Sequence, residues 1–155
     1  AKIALGVGMR VIAADKFMKA ATIQIVFFDG QTVDVTIKIQ SQESLLAEAD
    51  FISLHVPAQN DYVIGAREIE QMKAGAALIN AARGGVVDEV ALLKALEDGK
   101  LSFAGLDTFE EEPKPAMQVL MHPKVSLTPH IGAATGEAQD RIGEELAQQI
   151  AEILL

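Results

Sequence analysis

Residues 76–100, AALINAARGGVVDEVALLKALEDGK, decide the fold. Residues 76–82 are apolar apart from Asn80, as in a short strand buried within a sheet. Arg83, Gly84 and Gly85 interrupt the run, and Asp88 then stands where a helix needs an N-cap. Behind that cap Leu92 and Leu96 share a face at i and i+4, and Gly99 ends the segment. A strand, a tight turn and an amphipathic helix in that order are the repeating unit of a parallel sheet.

The same alternation extends in both directions. Downstream, LSFAGLD (101–107) and KVSLTP (124–129) read as strands. Upstream, GAREIEQMKAG (65–75) reads as a helix closed by Gly75, and DFISLHVP (50–57) as a brief strand stopped by Pro57. Ser41 offers an N-cap to a short helix that carries Leu45, Leu46 and Ala49 on one side. In TIQIVFFDGQTVDVTIKI (22–39), Ile23, Ile25 and Phe27 are answered by Val33, Val35, Ile37 and Ile39 across Asp29-Gly30, which predicts a β-hairpin with a two-residue turn. From Thr135 onward Ile142, Leu146, Ile150 and Leu154 recur every four residues and predict a long amphipathic terminal helix. The predicted class is α/β, a doubly wound, Rossmann-like and mostly parallel sheet covered on both faces, with the hairpin as an insertion.

Residues 4–15, ALGVGMRVIAAD, place Gly6 and Gly8 one residue apart and raise the question of a phosphate-binding loop. Such a loop follows a strand and opens a helix, whose N-terminal amides meet the phosphates. Here the order is reversed: residues 1–5 read as a helix tail, Gly8 as its left-handed cap, and residues 10–14 as a strand. Val11 occupies the place of the third glycine. The spacing therefore speaks against a phosphate loop, and Asp15 ends the strand.

Composition narrows the function classes. The 155 residues are half hydrophobic and carry a formal net charge of −9, which disfavours a nucleic-acid groove or an anionic membrane surface as partner. No apolar run approaches the ~20 residues of a membrane span, so a soluble, cytosolic chain is expected. The chain has no cysteine, which removes disulfides, thiolate metal sites and thiol nucleophiles. Its three histidines lack metal-ligand spacing, and no metal is expected. His122 sits in a proline-marked loop, Glu110 and Glu111 read as an acidic turn, the 110–113 run is too tight to enclose a cation, and the phenylalanines at 27, 28, 103 and 109 read as packing. Open α/β sheets bind ligands beyond the carboxyl ends of their strands. Asp15, His55, the 80–83 turn, Asp107 and His130 all fall at such ends.

Three stretches carry a resemblance: LINAARGGVVDEVALLKAL (78–96), AGLDTFEEEP (104–113) and LTPHIGAAT (127–135), supported by LLAEADFISLHVP (45–57) and REIEQMKAGA (67–76). Together and in this order they resemble the D-isomer-specific 2-hydroxyacid dehydrogenases. The resemblance implies a nicotinamide-dinucleotide-binding domain over residues 1–134 without its first strand and glycine loop. It also implies a terminal helix over 135–155 that returns toward a substrate domain, with both that domain and the glycine loop outside the 155 residues. The expected cofactor is NAD, the expected ligand a small 2-oxo or 2-hydroxy acid, and the expected assembly a homodimer. Among substrates 3-phosphoglycerate leads, with lactate, glycerate or hydroxypyruvate as alternatives, and a non-catalytic NAD-binding corepressor as a reading of another class.

Roles follow residue by residue from that resemblance. Arg83 would bind the substrate carboxylate and polarise its carbonyl, since a guanidinium forks onto a carboxylate. His130 would act as general acid and base, and Glu112 would hold its imidazole in one tautomer. Asp15 would meet the adenosine ribose, where its charge favours NAD over NADP. His55 and Val56 would lie along the adenine, Ala81 would face the nicotinamide, and Asp107 would meet its carboxamide. Gly132 and Ala133 would keep the backbone close to the same ring.

Overall fold

The computed structural model describes residues 1–154. The chain runs α1 (Lys2–Gly6), β1 (Ala13–Ala14), β2 (Ala20–Val26), β3 (Thr32–Gln40), α2 (Gln42–Glu48), β4 (Phe51–Leu54), α3 (Ala66–Gln71), β5 (Ala76–Asn80), α4 (Glu89–Glu97), β6 (Leu101–Leu106), α5 (Met117–Met121), β7 (Val125–Leu127) and α6 (Gly136–Leu154). Four parallel strands form the main sheet in the order β4-β5-β6-β7. This is a mixed α/β, Rossmann-like arrangement.

Register explains the core. Ile52, Leu78, Ala104 and Val125 are lateral neighbours across the four strands, and so are Leu54, Asn80, Leu106 and Leu127. Side chains alternate between faces along a strand, so both rows point the same way. That face carries the core, where Ile52, Leu78, Ala104, Leu92, Leu96 and Leu101 are buried. Leu92 and Leu96 come from α4, whose start is fixed by the Asp88 carboxylate accepting the Ala91 amide at 2.9 Å and whose end is followed by Gly99 at φ +74°.

The opposite face behaves differently. Phe51, Ala77 and Phe103 are lateral neighbours there, and both phenylalanines are exposed. Phe27 and Phe28 are exposed as well, in the hairpin loop, so of the four phenylalanines read as packing only Phe109 is buried.

The hairpin forms with Ile23 opposite Val35 and Ile25 opposite Val33. Its connection is longer than two residues: Val26 pairs with Thr32, the Phe27 amide donates to the Gln31 carbonyl at 2.8 Å, and Gly30 takes the left-handed φ of +83°. The hairpin is also tied to the first strand, because β1 pairs in parallel with the end of β3 in a second sheet ordered β1-β3-β2. The strand expected over 10–14 is reduced to its last two residues, the only ones in ladder register with β3. Gly8 does carry the positive φ, +81°, after α1. α3 stops at Gln71 instead of continuing to Gly75, because Met72 turns extended at ψ 155° to bury its side chain in the core. α6 forms as expected, capped by the Thr135 hydroxyl accepting the Ala138 amide at 3.2 Å. Its apolar stripe at Ile142, Leu146, Ile150 and Leu154 is exposed, and Ala138 is its only buried residue among those described.

Candidate active site

Because Leu54, Asn80, Leu106 and Leu127 share one lateral row, the residues that follow them leave the sheet along one edge. His55, Ala81, Asp107 and Thr128 therefore start within successive interstrand spacings of about 4.8 Å. The hydrogen-bond ladder runs right up to this edge, with the Asp107 amide donating to Asn80 at 2.9 Å and the Thr128 amide to Leu106 at 3.0 Å.

The central feature is a histidine–carboxylate pair. His130 Nδ1 lies 2.8 Å from Glu112 Oε2, with both side chains partly exposed. The other oxygen of Glu112 accepts the Phe109 amide at 3.0 Å. The bond to His130, followed by that amide, holds the Glu112 carboxyl below the usual carboxylate range. An ionised carboxylate only accepts, so Nδ1 carries the proton and donates, and Nε2 is left as the nitrogen at which a proton comes and goes. His130 has a left-handed φ of 55°, a conformation uncommon for a residue with a Cβ, and its amide donates to the Thr128 carbonyl at 3.0 Å.

Asp107 holds the loop that presents this imidazole. Its Oδ1 accepts the Thr128 hydroxyl at 2.6 Å and the Ile131 amide at 2.8 Å, and its Oδ2 accepts the Gly132 amide at 2.8 Å. A Cβ on Gly132 would sit 2.9 Å from that Oδ2 and 4.0 Å from the Ala81 carbonyl, so the glycine is needed for close approach. Burial pushes the Asp107 carboxyl up, but the bonds from Thr128, Ile131 and Gly132 and the nearby His130 charge outweigh it and leave it lowered. A lowered folded value means that the stabilisation is present above the unfolded value of about 3.9 and is lost as pH falls through the folded one. Acidification from pH 5 to below that range should therefore release the Ile131 and Gly132 amides to hydrogen exchange. Asp107→Asn, whose amide nitrogen cannot accept the Gly132 N–H, should expose the Gly132 amide already at pH 7. Unchanged protection of both amides down to pH 2 would contradict the assignment.

Arg83 lies on the neighbouring turn. Buried Asn80 shapes that turn, accepting the Ala82 amide at 3.1 Å and donating to the Arg83 carbonyl at 3.0 Å. The guanidinium donates to the Ala82 carbonyl at 2.6 Å and forms no ion pair among the described residues, so its charge is open to an anion. Gly84 packs directly on the Phe109 carbonyl, where an added Cβ would come to 1.8 Å. Through Phe109 the Arg83 turn and the Glu112 segment are thus in contact.

Of the remaining expected residues, His55 and Val56 follow β4 at this edge, whereas Asp15 follows β1 in the second sheet. His55 is exposed and shares a 3.0 Å hydrogen bond with Ser53, while Val56 is partly buried against the core. Asp15 follows β1 and uses Oδ1 to accept the Phe17 and Met18 amides at 2.7 and 2.9 Å. Its Oδ2 accepts no bond among the described residues. Lys16 reaches Gln59 at 3.4 Å, tying the end of β1 to the loop after β4. Ala133 is exposed and its carbonyl accepts the Gln139 side chain at 2.5 Å. The structural work of Asn80 and Thr128 escapes a reading of the sequence, since each acts through a bond visible only once the loops are placed. Groups of histidine or carboxylate residues suited to a metal ion are absent among the described residues.

A parallel α/β sheet with a carboxylate-held imidazole and an unpaired guanidinium at its carboxyl edge, where such sheets bind their ligands, is the arrangement of a dinucleotide-binding fold. The sequence profile of the D-isomer specific 2-hydroxyacid dehydrogenase NAD binding domain matches residues 1–132, and the chain belongs to that family. It is 41% identical to a glyoxylate reductase of Thermococcus litoralis over 97% of this chain and 43% of that protein, and 40% identical to a hydroxypyruvate reductase of Thermotoga maritima over 97% and 47%. It thus spans less than half the length of these relatives. Among solved structures, D-lactate dehydrogenase from Aquifex aeolicus complexed with NAD and lactic acid aligns with a TM-score of 0.69 at 32% identity, covering 98% of this chain and 48% of that one. No helix among the described residues is long and apolar enough to cross a membrane.

Proposed function

We propose that these residues form the cofactor half of an NAD-dependent dehydrogenase that interconverts D-2-hydroxy acids and 2-oxo acids. The observation that carries this reading is the Glu112–His130 pair at 2.8 Å at the sheet edge, with Arg83 free of ion pairs on the turn whose Gly84 packs on Phe109. NAD suits these residues chemically: Asp15 Oδ2 is a spare acceptor for a ribose hydroxyl, and Gly132 leaves backbone, not side chain, beside Ala81. When bound, the cofactor supplies or accepts the hydride.

The chain's own groups do the rest. Arg83 binds the substrate carboxylate and stabilises the negative charge that grows on the carbonyl oxygen. His130 Nε2 delivers a proton to that oxygen in reduction and removes it in oxidation, while Glu112 keeps the ring in the tautomer this requires. Asp107 holds the 131–132 backbone and would meet the carboxamide. Asp15 would repel a 2′-phosphate, so the reading favours NAD over NADP. His55 and Val56 flank the adenine, and Ala81, Gly132 and Ala133 the nicotinamide. The division at residue 134 makes α6 a connector to a substrate-binding part, and a cytosolic homodimer completes the proposal.

For the substrate we propose 3-phosphoglycerate first, since several relatives bear that name, with glyoxylate and hydroxypyruvate next. Turnover of NADH by the native gene product against 3-phosphohydroxypyruvate, glyoxylate, hydroxypyruvate and pyruvate decides among them. Oxidation of NADH with one of the four is expected. Clear NAD binding with no turnover on any would overturn the dehydrogenase reading.

A further inference from the structure

Glu89 and Glu110 lie outside the groups assigned to the reaction, yet each holds the other. The Glu110 amide donates to Glu89 Oε1 at 2.8 Å, and the Glu89 amide donates to Glu110 Oε1, also at 2.8 Å. Glu89 is only 7% exposed, an uncommon setting for a carboxylate. Capping accounts for only half of the exchange: Asp88 caps α4 through Ala91 and Glu110 takes the free Glu89 amide, whereas the return bond from the Glu110 amide to Glu89 lies outside the helix. Burial, reinforced by the charges of Glu110 and Glu111, pushes the Glu89 carboxyl up against the opposing amide bond.

The exchange joins the two halves of the site. Glu89 opens α4 directly after the turn that carries Arg83, and Glu110 lies between Phe109 and Glu112. Phe109 presses its carbonyl on Gly84 and gives its amide to Glu112. We propose that Glu89 and Glu110 are positioning residues whose paired bonds latch α4 to the 109–112 segment and thereby set the Arg83 turn against the Glu112–His130 pair. The proposal rests on the dehydrogenase reading for its kinetic consequence and on geometry alone for its spectroscopic one.

What the latch requires of each side chain is an acceptor oxygen, not a charge. Glu89→Gln and Glu110→Gln keep that oxygen, whereas Glu89→Ala and Glu110→Ala remove it. In the native gene product the alanine variants should lose kcat by roughly ten- to a hundredfold, the scale on which small misplacements act, with KM for NADH unchanged. Their His130 Nδ1 proton resonance, shifted downfield by Glu112 in the parent, should move upfield or broaden. The glutamine variants should match the parent in both. A role confined to capping would lower the melting temperature and leave kcat and the resonance unmoved well below it, which would overturn the latch. Loss of kcat or of the resonance in folded Glu89→Gln would overturn it too, and this variant decides the matter even where the alanine variants fail to fold. Absence of turnover in the parent would sink the dehydrogenase reading, while the resonance still decides the latch.

Discussion

His130→Asn lowers kcat of the native gene product by about 10²- to 10⁴-fold, the range of general acid–base catalysis, and leaves NADH binding in place. The amide cannot exchange a proton near neutral pH, yet its side chain fills much of the imidazole volume and leaves the Asp107 bonds to Thr128, Ile131 and Gly132 untouched. Glu112→Gln should give a smaller loss. Glutamine can still accept from the Phe109 amide, but it can also donate to Nδ1, which permits the tautomer with Nε2 protonated. Because the two side chains act as one unit, the double variant should fall little below His130→Asn alone. Steady-state rates at saturating NADH check all three. A His130→Asn enzyme within tenfold of the parent would remove His130 from the chemistry.

Gly84→Ala produces the largest loss of stability expected of any single methyl group here. The new Cβ would lie 1.8 Å from the Phe109 carbonyl oxygen and 2.8 Å from its carbon, so one backbone must move. Neither is free to do so: Asn80 pins the Arg83 turn, and Glu89 and Glu112 hold the 109–110 amides. Overpacking at a yielding site costs about 1–3 kcal/mol, and this rigid site belongs at the upper end. For a chain of this length about 3 kcal/mol lowers Tm by roughly 6–12 °C. Gly85→Ala differs in kind, since Gly85 has open space around it and only its φ of +72° resists a side chain. Thermal unfolding of the two variants compares a collision with a backbone strain, and a Gly84→Ala protein that melts with the parent would show that the turn has slack.

Local signals made much of this fold readable. Asp88, Leu92, Leu96 and Gly99 specify α4 within a dozen residues, and the alternation on either side of Asp29-Gly30 specifies the hairpin. What depends on partners distant in the chain was not readable. Pairing of β1 with β3 is a choice between strands of similar apolarity, and the size of the hairpin loop rests on a bond between Phe27 and Gln31. The exposure of Phe103 follows from which sheet face the helices cover, which periodicity alone leaves open, and the burial of Phe109 from the packing of the loop after β6.

The site divides in the same way. Arg83, Glu112 and His130 are ordinary residues one by one, and only the ordered motifs around them singled them out. The Glu112–His130 pair then appears in the geometry. Asn80, Glu89 and Glu110 escaped because their work is done by hydrogen bonds to backbone groups that the sequence does not bring together. Glu110 in particular reads, with Glu111, as part of an acidic turn until its amide is found on Glu89.

The central claim is that Arg83 and the Glu112–His130 pair act on one 2-oxo acid. A crystal structure of the native gene product with NADH and oxamate, an unreactive 2-oxo acid mimic, tests it most directly. The oxamate carboxylate is expected on the Arg83 guanidinium and its carbonyl oxygen within hydrogen-bond distance of His130 Nε2, with Nδ1 still on Glu112. Oxamate bound away from Arg83, or Nε2 turned from the carbonyl, would contradict it.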